Sequence, residues 1–335
     1  MNPSRLRALL ATLRIANMPS VICNVWLGSV LGLLHTGTED FSPFFTATVT
    51  LAVAGLLNYS AGNLLNDWKD RAWDQTHRPE RAIPRGLFRP TTYLAAAVIC
   101  LFLAISLAYN ISNASGIIAA LIATNIVIYT HWHKGHPWTV IPMGLCRALL
   151  PVMGFLAFED NLIKFAPSSF KFLYTTSLTL PDFLVSLPTY LLWIVPHSLG
   201  LFLYIVGLSL SARAESKPSV SNGTKWIART LIVSAILSMA LCWIPTSPGM
   251  MLIALLPCIL WLVLAFTCLC RPVSSHVSAL LAGIPLLDGV ALFSLGIAYF
   301  DYLNGPVGWI ILTSLLLPFV AFVASLLLQR IAPAT

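Results

Sequence analysis

Apolar runs long enough to cross a lipid bilayer follow one another along this 335-residue chain, at about 15–37, 44–66, 91–109, 113–132, 138–158, 182–211, 226–246, 249–269, 277–299 and 307–329. A helix needs roughly 20 apolar residues to span the hydrocarbon. Only helices and closed barrels can satisfy their backbone there. The runs do not alternate with period two, which excludes an outer-membrane barrel. The chain is therefore expected to be an all-α, polytopic membrane protein, folded as a single transmembrane domain over residues 1–335. Hydrophobic residues make up 58% of it and charged residues 9%.

The formal net charge is +7. Its placement argues for topology and against nucleic acid. Arg5, Arg7 and Arg14 precede the first run. Lys69, Arg71, Arg78, Arg81, Arg85 and Arg89 lie between runs two and three. Lys134, Arg213, Lys217, Lys225, Arg271 and Arg330 follow runs four, six, eight and ten, whereas Lys164 and Lys171 fall on the opposite side. This bias predicts that both termini and the polar loops face the cytoplasm, next to anionic lipid. The first run has no small-residue cleavage site and reads as a retained span. The seven cysteines sit in or beside apolar runs without zinc-finger spacing, so neither a disulfide framework nor structural zinc is expected.

Two polar loops stand out, 66–90 and 209–225. They hint at two similar halves over one cavity. The segment 159–181, rich in Phe, Ser and Pro, reads as a connector on the far side.

The first loop opens Asn66-Asp67-Trp68-Lys69-Asp70-Arg71-Ala72-Trp73-Asp74, with three of the chain's 12 carboxylates in eight residues. Ionisable groups beside lipid are costly and usually functional. If the second run continues as a helix, Asp67, Asp70 and Asp74 share one face, with Asn63 and Tyr59 behind them. Like charges so placed call for a cation, and Mg²⁺ takes hard oxygens and shares its shell with phosphates. The Arg78-Pro79-Glu80-Arg81 stretch that follows offers bidentate phosphate partners. The alternative is an acidic, solvated helix end.

Other groups leave alternative readings open. Arg147, inside the fifth run, is either ion-paired or a ligand contact. Asp288, in the ninth, packs helices, meets an acceptor hydroxyl or amine, or acts as a base. Asn17 and Asn24 share a face of the first span and either join helices or line a cavity. His131, His133 and His136 form a polar loop, a phosphate contact or a metal site. Trp26, Trp68, Tyr129 and Trp132 either line a cavity or pack.

Asn66-Asp67-x-x-Asp70-x-x-x-Asp74, then Arg78-Pro79-x-Arg81-x-Ile83-Pro84-x-Gly86, resembles the first signature of the UbiA-type intramembrane prenyltransferases. Tyr129-Thr130 with Lys134, and Met143-Gly144-Leu145-x-Arg147-Ala148-Leu149-x-Pro151-x-x-Gly154, resemble that family's fourth and fifth helices. The likeness covers roughly residues 10–300 and is greatest to a divergent branch of the ebo-cluster type. It implies a bundle of nine to ten transmembrane helices around a central cavity. It also implies Mg²⁺-dependent transfer of a prenyl group from an isoprenoid diphosphate to a small lipophilic acceptor. Carried over by position, Asp67, Asp70 and Asp74 would hold Mg²⁺. Asn63, Asn66, Lys69, Arg78, Arg81, Lys134 and Arg147 would contact the substrate.

The family's second motif has two aspartates four apart. This chain has Ser211-x-x-x-Glu215, with Arg213 between. Either Arg213 or Lys217 replaces a second metal and acts with Glu215 in catalysis, or the chain binds polyprenyl phosphates without ionising them. A secondary transporter would need matched mid-membrane charges in two repeats, and Arg147 and Asp288 are not matched.

Overall fold

A computed structural model describes residues 3–36, 41–133, 136–158, 189–215, 222–243, 248–269, 273–300, 303–305 and 307–332. The segment 159–181, Lys134, Lys164, Lys171, Lys217 and Arg271 lie outside the described residues, as does the Glu215 side chain. The regular elements are helices throughout: α1 Pro3–Thr12, α2 Met18–Thr36, α3 Ser42–His77, α4 Pro90–Ile111, α5 Asn113–Trp132, α6 Val140–Phe155, α7 Thr189–Glu215, α8 Asn222–Trp243, α9 Pro248–Thr267, α10 Val273–Ala282, α11 Ile284–Ala298 and α12 Gly308–Ile331.

Among the described residues, seven spans are long and apolar enough to cross a membrane: α2 with its preceding turn, α3, α4, α5, most of α7, α10 with α11, and α12. The expected runs at 138–158 and 249–269 fold as shorter apolar helices, Val140–Phe155 and Met251–Thr267. The run at 226–246 falls in α8, which starts among polar residues that include Lys225 and Arg229. The ninth run is broken into α10 and α11 at Gly283. A Cβ there would stand 2.8 Å from Trp261, and Pro285 opens α11 with no N–H to lose.

Two departures from the sequence reading shape the site. First, α3 runs 36 residues through His77. At 1.5 Å per residue it is ~54 Å long, far more than the ~30 Å of hydrocarbon. The aspartates therefore ride a helical extension, and the first loop is not open at 66–77. Second, α1 was not foreseen. It ends at Thr12, where Arg14 takes a left-handed φ of 48° and a short 3-10 turn over Ile15–Asn17 starts α2. At that break Arg14 O accepts the Asn17 N–H of the 3-10 turn at 3.0 Å. Side chains of α3 bond the same stretch: Asn63 donates to Leu13 O at 3.1 Å and Tyr59 to Arg14 O at 3.4 Å.

The buried helix α2 is the hub, packed by α3, α6, α11 and α12. Its contact with α6 is backbone on backbone. A Cβ on Gly28 would stand 1.9 Å from Pro151 O, and one on Gly154 would stand 2.4 Å from Val25 O. Gly28→Ala is therefore expected to cost about 3 kcal/mol, at the upper end for overpacking. Gly249→Ala, with open space around it, is expected to leave the thermal unfolding midpoint in detergent unchanged. Equal midpoints for the two variants would contradict this packing. Outward, α4 exposes Val98, Ile99 and Phe102, and α9 exposes Leu252, Ile253 and Leu256. Such continuous apolar faces suit lipid.

The candidate functional site at the end of helix α3

Asp67, Asp70 and Asp74 lie on one face of α3, as their spacing of three and four predicts. They do not converge on one point. Asp67 and Asp74 are buried and share Arg81: its Nη1 donates to Asp67 Oδ1 at 2.6 Å and to Asp74 Oδ2 at 3.4 Å. Asp70 instead faces α5, where His133 Nε2 stands 3.2 Å away. Among the described residues, no group of three or more His, Cys, Asp or Glu is set to hold a metal.

Arg81 reaches back because the segment after α3 folds on itself. Arg81 N–H bonds Arg78 O, Arg85 N–H bonds Arg81 O, and Gly86 turns with φ 67°. Ala82 and Ile83 are buried and fasten this turn against the bundle. Thr12, at the end of α1, donates to Asp67 Oδ2 at 3.2 Å and meets Tyr93 OH at 3.0 Å. The carboxylate of Asp67 thus receives Arg81 on one oxygen and Thr12 on the other.

The end of α5 forms the facing wall. Thr130 donates to Asn66 Oδ1 at 3.1 Å, and Tyr129 stacks on His133 with ring centroids 5.3 Å apart. Arg213, at the end of α7, donates to the carbonyls of His133 and His136, each at 3.2 Å, and to Thr139 Oγ1. It clamps the α5–α6 connection at His133, Asp70's partner. Arg213 is therefore committed to backbone oxygens here, where the sequence suggested a counter-charge for diphosphate. Ser211 is part-exposed.

The remaining expected residues spread outward. Lys69 and Arg78 are exposed, with Arg78 5.9 Å from the Trp73 ring. Arg71 bonds Trp68 O at 2.7 Å and covers the Trp68 ring at 4.9 Å. The three histidines do not gather: His131 is exposed against Trp132 and His136 lies beside Trp138. Trp26 belongs to the packing, edge-on to Phe44 at 5.2 Å with its N–H on Ser314 at 3.1 Å.

A polar line runs from this site into the bundle. Asn17 donates to Tyr59 OH at 3.1 Å, and Arg147 is buried and donates to Ser20 Oγ. Asn24 then donates to Asp288 Oδ2 at 2.6 Å, while His197 Nε2 meets Asp288 Oδ1 at 3.0 Å. Asn24, Asp288 and His197 are all 0% exposed. They join α2, α11 and α7. Arg147 and Cys23 are within electrostatic reach of Asp288. Asp288 thus bonds helices together, as one of its readings had it. His197 had been missed.

The chemistry of Asp67 and Asp74 fits Mg²⁺. They are hard oxygen donors, and the space between them already takes a positively charged nitrogen.

Residues 25–282 match the model of the UbiA prenyltransferase family. Over 108 residues the chain is 35% identical to the digeranylgeranylglyceryl phosphate synthase of Halobacterium salinarum, covering 32% of this chain and 37% of that one. Over 118 residues it is 34% identical to the protoheme IX farnesyltransferase of Acidiphilium cryptum, covering 34% and 36%. Its similarity to these curated relatives therefore spans little more than a third of their length. A solved structure described as "Structural and mechanistic insights into the biosynthesis of Digeranylgeranylglyceryl phosphate synthase in membranes" superimposes with a TM-score of 0.52 at 17% identity, covering 86% of this chain and 98% of that chain. That likeness concerns the fold.

Proposed function

Because the chain belongs to the UbiA prenyltransferase family, we propose that it transfers a prenyl group from an isoprenoid diphosphate to a lipophilic acceptor inside the membrane. The observation that carries this reading is the Asp67–Asp74 pair, buried around Arg81 at the end of an overlong membrane helix. Buried carboxylates in such a place cost too much to be decoration. The relatives' names carry geranylgeranyl and farnesyl chains, which favours a donor of that type.

In this reading Asp67 and Asp74, with Asp70 on the same face of α3, would hold Mg²⁺. When bound, Mg²⁺ neutralises the charge that builds on the departing diphosphate. The bond between the prenyl C1 and the diphosphate oxygen breaks, and its electron pair leaves with the diphosphate. A lone pair or π pair of the acceptor forms the new bond to C1, and the acceptor's proton is released. Asn63 and Asn66 set the face of α3 toward the donor. Arg78, Arg81, Lys69 and Lys134 receive phosphate oxygens, and Arg147 contacts the ligand deeper in the bundle. Arg213 and Glu215 would supply the counter-charge and the carboxylate of the second motif. The basic residues beside this end favour the cytoplasmic side for it and for both termini.

One observation favours a second reading, a non-catalytic binder or carrier of polyprenyl phosphates. The second motif has a serine at 211, and Arg213 is occupied by backbone carbonyls. Labelled geranylgeranyl diphosphate separates the two. With the protein in bilayer nanodiscs, Mg²⁺ and a total lipid extract, its label is expected to pass to a new extractable lipid. Donor that stays bound and intact with every extract tried would overturn transfer and leave the binding reading.

A further inference from the structure

The counter-ion of the aspartate pair comes from the protein itself, and this has a consequence for how ligands enter. Arg81 Nη1 serves both Asp67 and Asp74, at 2.6 and 3.4 Å. The two carboxyl side chains are 10% and 2% exposed, against 19% for Arg81. Two buried carboxylates this close require a positive partner. A divalent cation between the same oxygens needs the space that this nitrogen fills. The two cations exclude each other.

Removing Arg81 without a new partner would leave a part-buried guanidinium unpaired, which opposes the metal. A diphosphate changes that balance. A guanidinium matches phosphate oxygens with two parallel hydrogen bonds. The Arg81 backbone can stay where it is, because the turn is fastened by buried Ala82 and Ile83 and closed at Gly86.

We propose that Arg81 is a resident counter-cation that yields its place between Asp67 and Asp74 to Mg²⁺ when a diphosphate is present to receive it. This rests on the prenyl-diphosphate reading above and adds an ordering device to it. In the absence of substrate the aspartates stay neutralised by the chain. With substrate, metal and phosphate bind as a coupled pair, and the coupling is reciprocal. Arg81 then positions the diphosphate after having guarded its metal.

Calorimetry on the full chain in nanodiscs tests this with Mg²⁺ alone, inorganic diphosphate alone, and both. In the wild type, diphosphate is expected to tighten Mg²⁺ binding about tenfold, a typical coupling. In Arg81→Gln, Mg²⁺ alone is expected to bind several-fold more tightly than in the wild type, and the tightening by diphosphate is expected to vanish. Arg81→Lys, which keeps the charge without the fork, should retain weak Mg²⁺ binding alone and lose most of the coupling. It serves as the second variant should Arg81→Gln fail to fold. Weaker binding of Mg²⁺ alone by Arg81→Gln, or coupling that survives in both variants, overturns the proposal while leaving the prenyl-diphosphate reading intact. A wild type that binds neither Mg²⁺ nor diphosphate overturns both.

Discussion

Asp67→Asn is expected to lower Mg²⁺-dependent diphosphate release from geranylgeranyl diphosphate by roughly 10²–10³-fold, the scale of losing one preorganised electrostatic contact to a transition state. The substitution keeps the side chain's shape. The amide oxygen can still accept from either Arg81 or Thr12, which now reach the carboxylate at 2.6 and 3.2 Å. The negative charge is what disappears, and with it the hard anionic donor that a divalent cation requires. The bundle should therefore remain folded, with a thermal midpoint close to the wild type, while the chemistry fails. A paired measurement of release rate and unfolding separates the two effects. Wild-type release by a folded Asp67→Asn protein would remove Asp67 from the metal site.

Asp288→Ala is expected to act in the opposite way, through stability. Asp288 accepts from Asn24 at 2.6 Å and pairs with His197 at 3.0 Å, with all three side chains at 0% exposure. Truncation removes the shared partner and strands Asn24, His197 and the nearby Arg147 charge in an apolar interior. Breaking a buried, hydrogen-bonded charge this way costs about 3–5 kcal/mol. Asp288→Asn keeps an acceptor for one neighbour and should cost less. Thermal unfolding in nanodiscs is the readout. An Asp288→Ala protein as stable as the wild type would show that this cluster does not pin α2, α7 and α11 together.

The contrast between these residues shows what sequence could convey. Asp67, Asp70 and Asp74 were legible because a helix repeats its face every three to four residues, and the polar stripe continues the apolar run before it. The same regularity carried the bundle itself: each run is long and apolar, with at most one charged residue inside it. What sequence did not convey depends on distant partners. His197 stands alone in an apolar run, and its partner Asp288 is 91 residues away. Thr12 meets Asp67 across 55 residues, through a short helix that carries no strong apolar pattern.

Arg81 and Arg213 show where local reading stops. Both were recognised as cations near the motif and assigned outward, toward phosphate. In the structure, Arg81 is bonded to two aspartates and Arg213 to the α5–α6 connection. Charge type and spacing identify a cation, but its partner depends on the path of a turn, here the fold-back closed at Gly86. The break at Gly283 was likewise hidden, because a glycine and a proline inside an apolar run are tolerated in continuous membrane helices as well.

The central claim is that this chain ionises an isoprenoid diphosphate with a divalent cation held by Asp67 and Asp74. The most direct measurement is diphosphate release by the purified wild-type protein, supplied with geranylgeranyl diphosphate and a lipid extract, first with Mg²⁺, then with EDTA, then with Mg²⁺ restored. The expected result is release that stops on chelation and resumes on restoration. Release that continues unchanged through EDTA, or bound donor that never releases diphosphate in Mg²⁺, would contradict it.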